Sequence, residues 1–355
     1  MAKRNNSFKA VVVKEHPVQS IREAGLYKLK LPDGAKITAV ANSVFPHHDE
    51  SFIQLILRHI ADQQPDLLVI QGYMFDESAF QLLADTAKNI LHKTPRTEAL
   101  TRALQQGLFE GRVRSLAHEC SQFIRRFADA APNATVVYLP AWANMGLSSE
   151  HGIVDFIINK KQYLDNWTDG HLEAPERPSN PLDTLPSDFA ELFELNGDPQ
   201  IQVLPYGAGL MVNDETLFLD GAFRRRHAGD ASLIQWQQMG YSIVQSIDGK
   251  ASSAWATTPI HTMPEPIYKS HCAHEIGYTW DPRKNGQYGD YHRRCPGFFA
   301  GTVFFNKVFG NTIVPEAGAD GRRSIWVHGK TYTEESPGMA IATTHMERYK
   351  GKSKG

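Results

Sequence analysis

Cysteine, long apolar runs and an excess of charge of either sign are all scarce in this 355-residue sequence. Its cysteines are Cys120, Cys272 and Cys295. They form no disulfide framework in a chain of this size, which points to a reducing cytoplasm. No run of eighteen apolar residues occurs, and the N-terminus lacks the apolar stretch of a secretory signal, so no membrane partner and no export are expected. Lys plus Arg number 37 against 39 Asp plus Glu, a net charge of -2. That balance excludes a global field that would draw the chain to nucleic acid, and leaves such contacts to local patches. Two lie at the ends, Lys3 and Arg4 at one and Lys350, Lys352 and Lys354 at the other, where they read as frayed termini.

With 41% hydrophobic residues the chain can bury a large core. In the first half, β-branched apolar runs alternate with amphipathic stretches, the pattern of a mostly parallel sheet covered by helices. Strands are expected at 10–13, 36–41, 67–71 and 134–139. A helix is expected over 50–62 behind an Asp49 N-cap, and a longer helical region over 77–130, interrupted near Pro95, with Cys120 as a core thiol. Residues 168–186, with Pro175, Pro178, Pro181 and Pro186, read as an extended surface excursion. A short helix over 188–195 and short strands at 201–205, 209–212 and 216–219 suggest an antiparallel portion or a second sheet. A helix over 230–239 and a strand over 242–247 resume the α/β pattern. From Ala251 onward periodicity is weak.

Several strand-end segments occur in order: Asn42-Ser43-Val44, Gly72-Tyr73-Met74-Phe75-Asp76, Pro140-Ala141-Trp142-Ala143-Asn144, Asp220-Gly221, and Ser246-Ile247-Asp248-Gly249. Open α/β sheets bind ligands at such carboxyl edges. In position and surroundings these segments resemble the metal-binding motifs of the calcineurin-like metallophosphoesterases: Asp-x-His, Gly-Asp-x-x-Asp, Gly-Asn-His-Asp/Glu, a strand-terminal His-Gly, and Gly-His-x-His. The run Gln64-Pro65-Asp66 followed by Leu67 to Gly72 is similar to that family's approach to its second motif, and Val136 to Pro140 to its approach to the third. The resemblance covers about residues 36 to 250, and extends to the strands ending in Trp326 to Tyr332.

That resemblance implies an α/β/β/α sandwich of two packed mixed β-sheets flanked by helices. It further implies an N-terminal extension over 1–35, a core over 36–250, a C-terminal part of the same domain over 251–335 and a basic tail over 336–355. The family holds two divalent cations on carboxylates and imidazoles. Here the corresponding positions carry Asn42 and Val44; Tyr73, with Asp76 beyond it; Trp142 and Ala143, followed by Asn144; Asp220; and Ile247 and Gly249. Val44, Trp142, Ala143, Ile247 and Gly249 carry no side chain able to ligate a divalent metal, Tyr73 would do so only with a strongly acidic one, and the oxygens of Asn42 and Asp220 are too few for a dinuclear centre. The expectation is a catalytically inactive relative, with no cofactor, acting as a binding or scaffold component on a protein partner. Resemblance to phosphoesterases encoded by bacteriophages implies a viral protein in the host cytoplasm or the virion.

Three other constellations keep alternatives open. His47, His48 and Asp49, with Asp220 and His227, could serve a phosphoesterase or nuclease with non-standard ligands. His271, Cys272 and His274, with His292 and Cys295, have residue types that suit zinc, although the spacing is not a standard one. Arg224, Arg225 and Arg226 could contact phosphate or a nucleic-acid backbone, or form a solvated charge run.

Overall fold

A computed structural model describes residues 9–11, 25–72, 74, 115, 117–140, 193–205, 207–220, 241–246, 251–260, 267–281 and 295–335. The fold is α/β and built on two mixed sheets. One has six strands in the order β13-β12-β3-β4-β5-β6. At its centre β3 (Lys36–Ala41), β4 (Leu67–Gly72) and β5 (Thr135–Pro140) run parallel, joined by β6 (Ile201–Val203). On its other side β12 (Phe298–Phe304) and β13 (Lys307–Ile313) pair antiparallel. The second sheet has seven strands in the order β1-β2-β7-β8-β9-β11-β10. These are β1 (Lys9–Val11), β2 (Leu26–Leu29), β7 (Gly209–Val212), β8 (Thr216–Asp220), β9 (Ser242–Ser246), β10 (Ser252–Ile260) and β11 (Ile267–Ile276). A third, small sheet is made of β14 (Glu316–Ala317), β15 (Arg323–Val327) and β16 (Lys330–Thr333).

Side-chain alternation explains how the sheets stack. Along β4, Leu68 and Ile70 face one way and pack with Phe52, Ile53, Ile56 and Ile60 of α1 (Glu50–Gln63) and with Phe123 and Phe127 of a second helix over 117–130. Leu67 and Val69 face the other way and meet Phe218 and Val244 of the seven-stranded sheet, together with Ala39, Ala41, Val137 and Leu139. The central parallel strands are therefore apolar on both faces, as β4 and β5 read in sequence. Asp49 caps α1 by accepting from Phe52 N at 3.1 Å, and the helix stops at Gln64 in the left-handed conformation (φ 46°).

Expected elements fall within a residue or two of the observed ones for β3, β4, β5, β7, β8, β9 and α1. The run expected as 201–205 contributes its first three residues to the six-stranded sheet, and β7 with β8 forms the antiparallel portion of the other. The last three residues of the helix expected over 188–195 form a turn instead, with Glu194 at φ 52°, a conformation that cannot continue a right-handed helix. The rest of that helix, the region 77–114, the excursion over 168–186, the helix over 230–239 and the tail over 336–355 lie outside the described residues. The weakly periodic stretch after Ala251 supplies β10 and β11 to one sheet and β12 and β13 to the other. Among the described residues no helix is long and apolar enough to cross a membrane.

Candidate functional site at the strand ends

The carboxyl ends of β3, β4, β8 and β9 converge where the two sheets face each other. Face parity sets the lining. Gln71 continues the seam-facing row of Leu67 and Val69, Asp220 continues that of Phe218, and Ser246 that of Val244. Ser246 Oγ donates to Asp220 Oδ1 at 2.9 Å. The backbone N–H of Asn42 donates to Gln71 O at 3.3 Å, tying the turn after β3 to the end of β4. Gly72 sits at φ 76°, and a Cβ there would meet Asn42 Oδ1 at 2.5 Å and Ser246 Oγ at 2.8 Å. Only glycine lets those two oxygens close on the strand end. Asn42, Gln71 and Ser246 are buried, and Asp220 is partly exposed.

The turn after β3 is held in a sparsely populated conformation. Asn42 has φ 53° and Val44 φ 51°; the first is tolerable for Asn, the second an outlier for a β-branched residue. A second strand end fastens it. Thr279 N donates to Asn42 O at 3.1 Å, Asp49 N donates to Thr279 O at 2.9 Å, and Asp281 N donates to His47 O at 2.7 Å. The Thr279 hydroxyl lies 2.6 Å from Ser43 Oγ and 3.1 Å from Ala41 O. This segment, Gly277-Tyr278-Thr279-Trp280-Asp281, follows β11, the neighbour of β9 in the sheet. Sequence reasoning did not single it out. The available signal was a strand running straight into Gly277-Tyr278-Thr279-Trp280. Tyr278 and Trp280 are buried with ring centroids 4.8 Å apart. Gly277 cannot be replaced without a clash, since its Cβ would lie 2.4 Å from Cys295 O.

The structure thus brings together Asn42, Gln71, Gly72, Asp220, Ser246 and the 277–281 segment, with Val44 buried in the same turn. Tyr73, Asp76, Trp142, Ala143, Asn144, Ile247, Gly249, Arg224, Arg225, Arg226, His227 and His292 lie outside the described residues.

The His47-His48-Asp49 cluster is engaged structurally, which counts against its use as displaced metal ligands. Besides capping α1, the Asp49 carboxylate receives Arg323 through contacts of 2.6 and 2.9 Å. Arg323 is held from the other side by Glu334, whose Oε1 accepts from Nε at 2.8 Å. Those two carboxylates hold the guanidinium charged and raise its pKa further, against the opposing effect of its burial. His48 Nε2 lies 2.7 Å from Glu50 Oε2, and its ring packs against those of Phe45 and Phe123. The hydrogen bonds of Arg126, Gln54 and His48 draw the Glu50 carboxyl down to about 2, although partial burial opposes them.

In the second constellation, Cys272 and His274 lie on the same side of β11. Cys272 Sγ approaches Val308 O at 3.7 Å, and His274 Nδ1 lies 2.8 Å from Ser253 Oγ. Burial pushes the thiols of Cys272 and Cys295 up and the imidazole of His274 down to about 4. Among the described residues no three His, Cys, Asp or Glu side chains cluster in a way that could hold a metal.

No protein-family model matches this sequence, and no curated protein does. A solved structure aligns with 85% of this chain and 98% of its own at 14% identity, with a TM-score of 0.30, a likeness too slight to carry an argument.

Proposed function

We propose that this chain has the architecture of a calcineurin-like metallophosphoesterase without its dinuclear centre, and acts as a binding or scaffold component rather than a hydrolase. The observation that carries this reading is the donor set that the described residues offer where the strand ends meet. At Asn42, Val44, Gly72, Asp220 and Ser246 stand two neutral polar side chains, one hydrocarbon, one glycine and a single carboxylate. The segment Gly277-Tyr278-Thr279-Trp280 has the spacing of Gly-His-x-His, with two buried aromatic rings where imidazoles would stand.

A pair of divalent cations does not fit these residues. One carboxylate cannot offset four positive charges, and Asp220 already accepts from Ser246. The hydrolase alternative loses Asp49 to the helix cap and Arg323. The strained turn at Asn42 and Val44, held from two sides, supports a retained binding role, because backbone strain persists where surrounding structure over-determines it and collects at ligand sites.

The test is metal analysis of the purified full chain together with a generic phosphodiester assay supplemented with manganese. The expected result is less than one bound metal per chain and no turnover above buffer. Two bound metals with turnover would overturn the proposal.

A further inference from the structure

Gln71 is the one seam-facing polar side chain on β4. It is 0% exposed, and neither its Oε1 nor its Nε2 has a hydrogen-bond partner. Its neighbours on the seam face are Ala41 and Leu139, cross-strand on either side, which offer no polar atom. The opposite sheet ends here in Asp220 and Ser246, and the residue after Gln71 is the glycine against which Asn42 Oδ1 and Ser246 Oγ close. A buried primary amide with both ends unpaired forfeits the hydrogen bonds it made to water, and such groups in native proteins are ordinarily answered by an unseen guest. An apolar residue would serve the seam better if nothing came to it, as Val69 and Leu67 do two and four positions earlier.

We infer that the end of the inter-sheet seam is a binding site for one or two hydroxyl oxygens, of water or of the alcohol group of a small ligand, fastened by the Gln71 amide. The chemistry selects the guest. Oε1 needs a donor and Nε2 an acceptor. A metal ion or ammonium would satisfy only Oε1. An anion would satisfy only Nε2 and would meet the Asp220 carboxylate at the same strand-end cluster. A hydroxyl does both and is the smallest group that can, which suits a fully enclosed amide. This inference stands on Gln71 itself and does not depend on the chain being inactive.

A crystal structure of the full chain, dialysed free of additives, tests it together with the thermal melt of Gln71→Met, which keeps the length of the side chain and removes its polarity. Oxygen density within about 3.2 Å of Oε1 or Nε2 is expected, with a fall of roughly 2 °C in the Tm of the variant. Isolated density marks water; density continuing into a larger molecule, matched by a mass released on denaturation, marks an alcohol-bearing ligand, and either supports the site. Empty density with a raised Tm in Gln71→Met would overturn it while leaving the proposed function untouched. A pair of metal ions in that density would overturn both.

Discussion

Two buried polar clusters in this molecule are built to opposite standards. Around Arg323 every charge is answered: Asp49 and Glu334 flank the guanidinium, Glu334 also accepts from Arg323 N at 2.9 Å, and the cation lies over the Phe52 ring. At the end of the inter-sheet seam the Gln71 amide has no partner, Asp220 stays partly exposed, and the backbone at Asn42 and Val44 is strained. The first arrangement is that of a structural clasp, which fastens the small β14-β15-β16 sheet to the start of α1. The second is that of a place left for something else. The difference between them is partner satisfaction, a better guide to function here than polarity or burial alone.

Breaking the clasp should have the largest effect. Arg323→Met leaves the Asp49 and Glu334 carboxylates buried without their cation, and a loss of about 4 kcal/mol is expected in denaturant unfolding. Retention of more than three-quarters of that stability would show that the cluster is not the clasp described.

The next effect contrasts that satisfied charge with an unpartnered imidazole. His59 is enclosed by the rings of Phe298, His328 and Tyr332, with neither nitrogen hydrogen-bonded. Burial, with the neighbouring His328 adding to it, pushes its pKa down to about 4 from an ordinary 6.5. The unfolded chain therefore takes up this proton first. Stability is at its full value above about pH 6.5, falls as the pH drops through the window to about 4, and has no further slope from this group below it. The expected loss across that window is about 3 kcal/mol, and unfolding measured at pH 7, 5.5 and 4 should show it. In His59→Leu the His59 share of the slope should vanish, leaving that of His274. An unchanged slope would place the acid sensitivity elsewhere.

Gly72→Ala attacks the seam end directly. A methyl group at φ 76° that meets Asn42 Oδ1 and Ser246 Oγ should cost about 2 kcal/mol. An alanine variant as stable as the parent would mean that the strand ends are looser than described.

The smallest effect sharpens the comparison by leaving both clusters alone. Among the described residues three hairpin turns have two successive residues at positive φ: Asn213-Asp214, His328-Gly329 and Phe305-Asn306. Asn, Asp and Gly suit that backbone, and Phe305 does not; it is also 85% exposed, so burial returns nothing for the strain. Phe305→Asn should therefore raise stability by about 1 kcal/mol in the same unfolding assay, while a loss would reveal a contact made by the exposed ring.

Much of the framework was legible in the sequence because its signals are local. The apolar run of β4 and the recurrence of Phe52, Ile53, Ile56 and Ile60 announce a two-sided buried strand and a helix packed on it. The second half was less legible. β11 carries Lys269, His271, His274 and Glu275, and burial of polar residues such as His274 and Glu275 hides the alternation that would have marked it as a strand. At the site, Asn42, Gly72 and Asp220 could be singled out from strand ends, whereas Gln71 looked like one more residue of an apolar strand. The 277–281 segment went unremarked because its aromatics matched no ligand chemistry.

By itself the sequence determined which residue types stand at the strand ends, and so which chemistry they could offer, because side-chain identity sets donor capacity whatever the fold. It also determined the central strands and the first helix, whose apolar periods are properties of a few consecutive residues. Only the tertiary structure decided that Asn42, Gln71, Ser246 and Thr279 meet, that Asp49 belongs to a clasp with Arg323, and that one buried amide is left unanswered. Those facts are distances between groups as many as 274 residues apart in the chain. They are set by how two sheets stack, which no local pattern encodes.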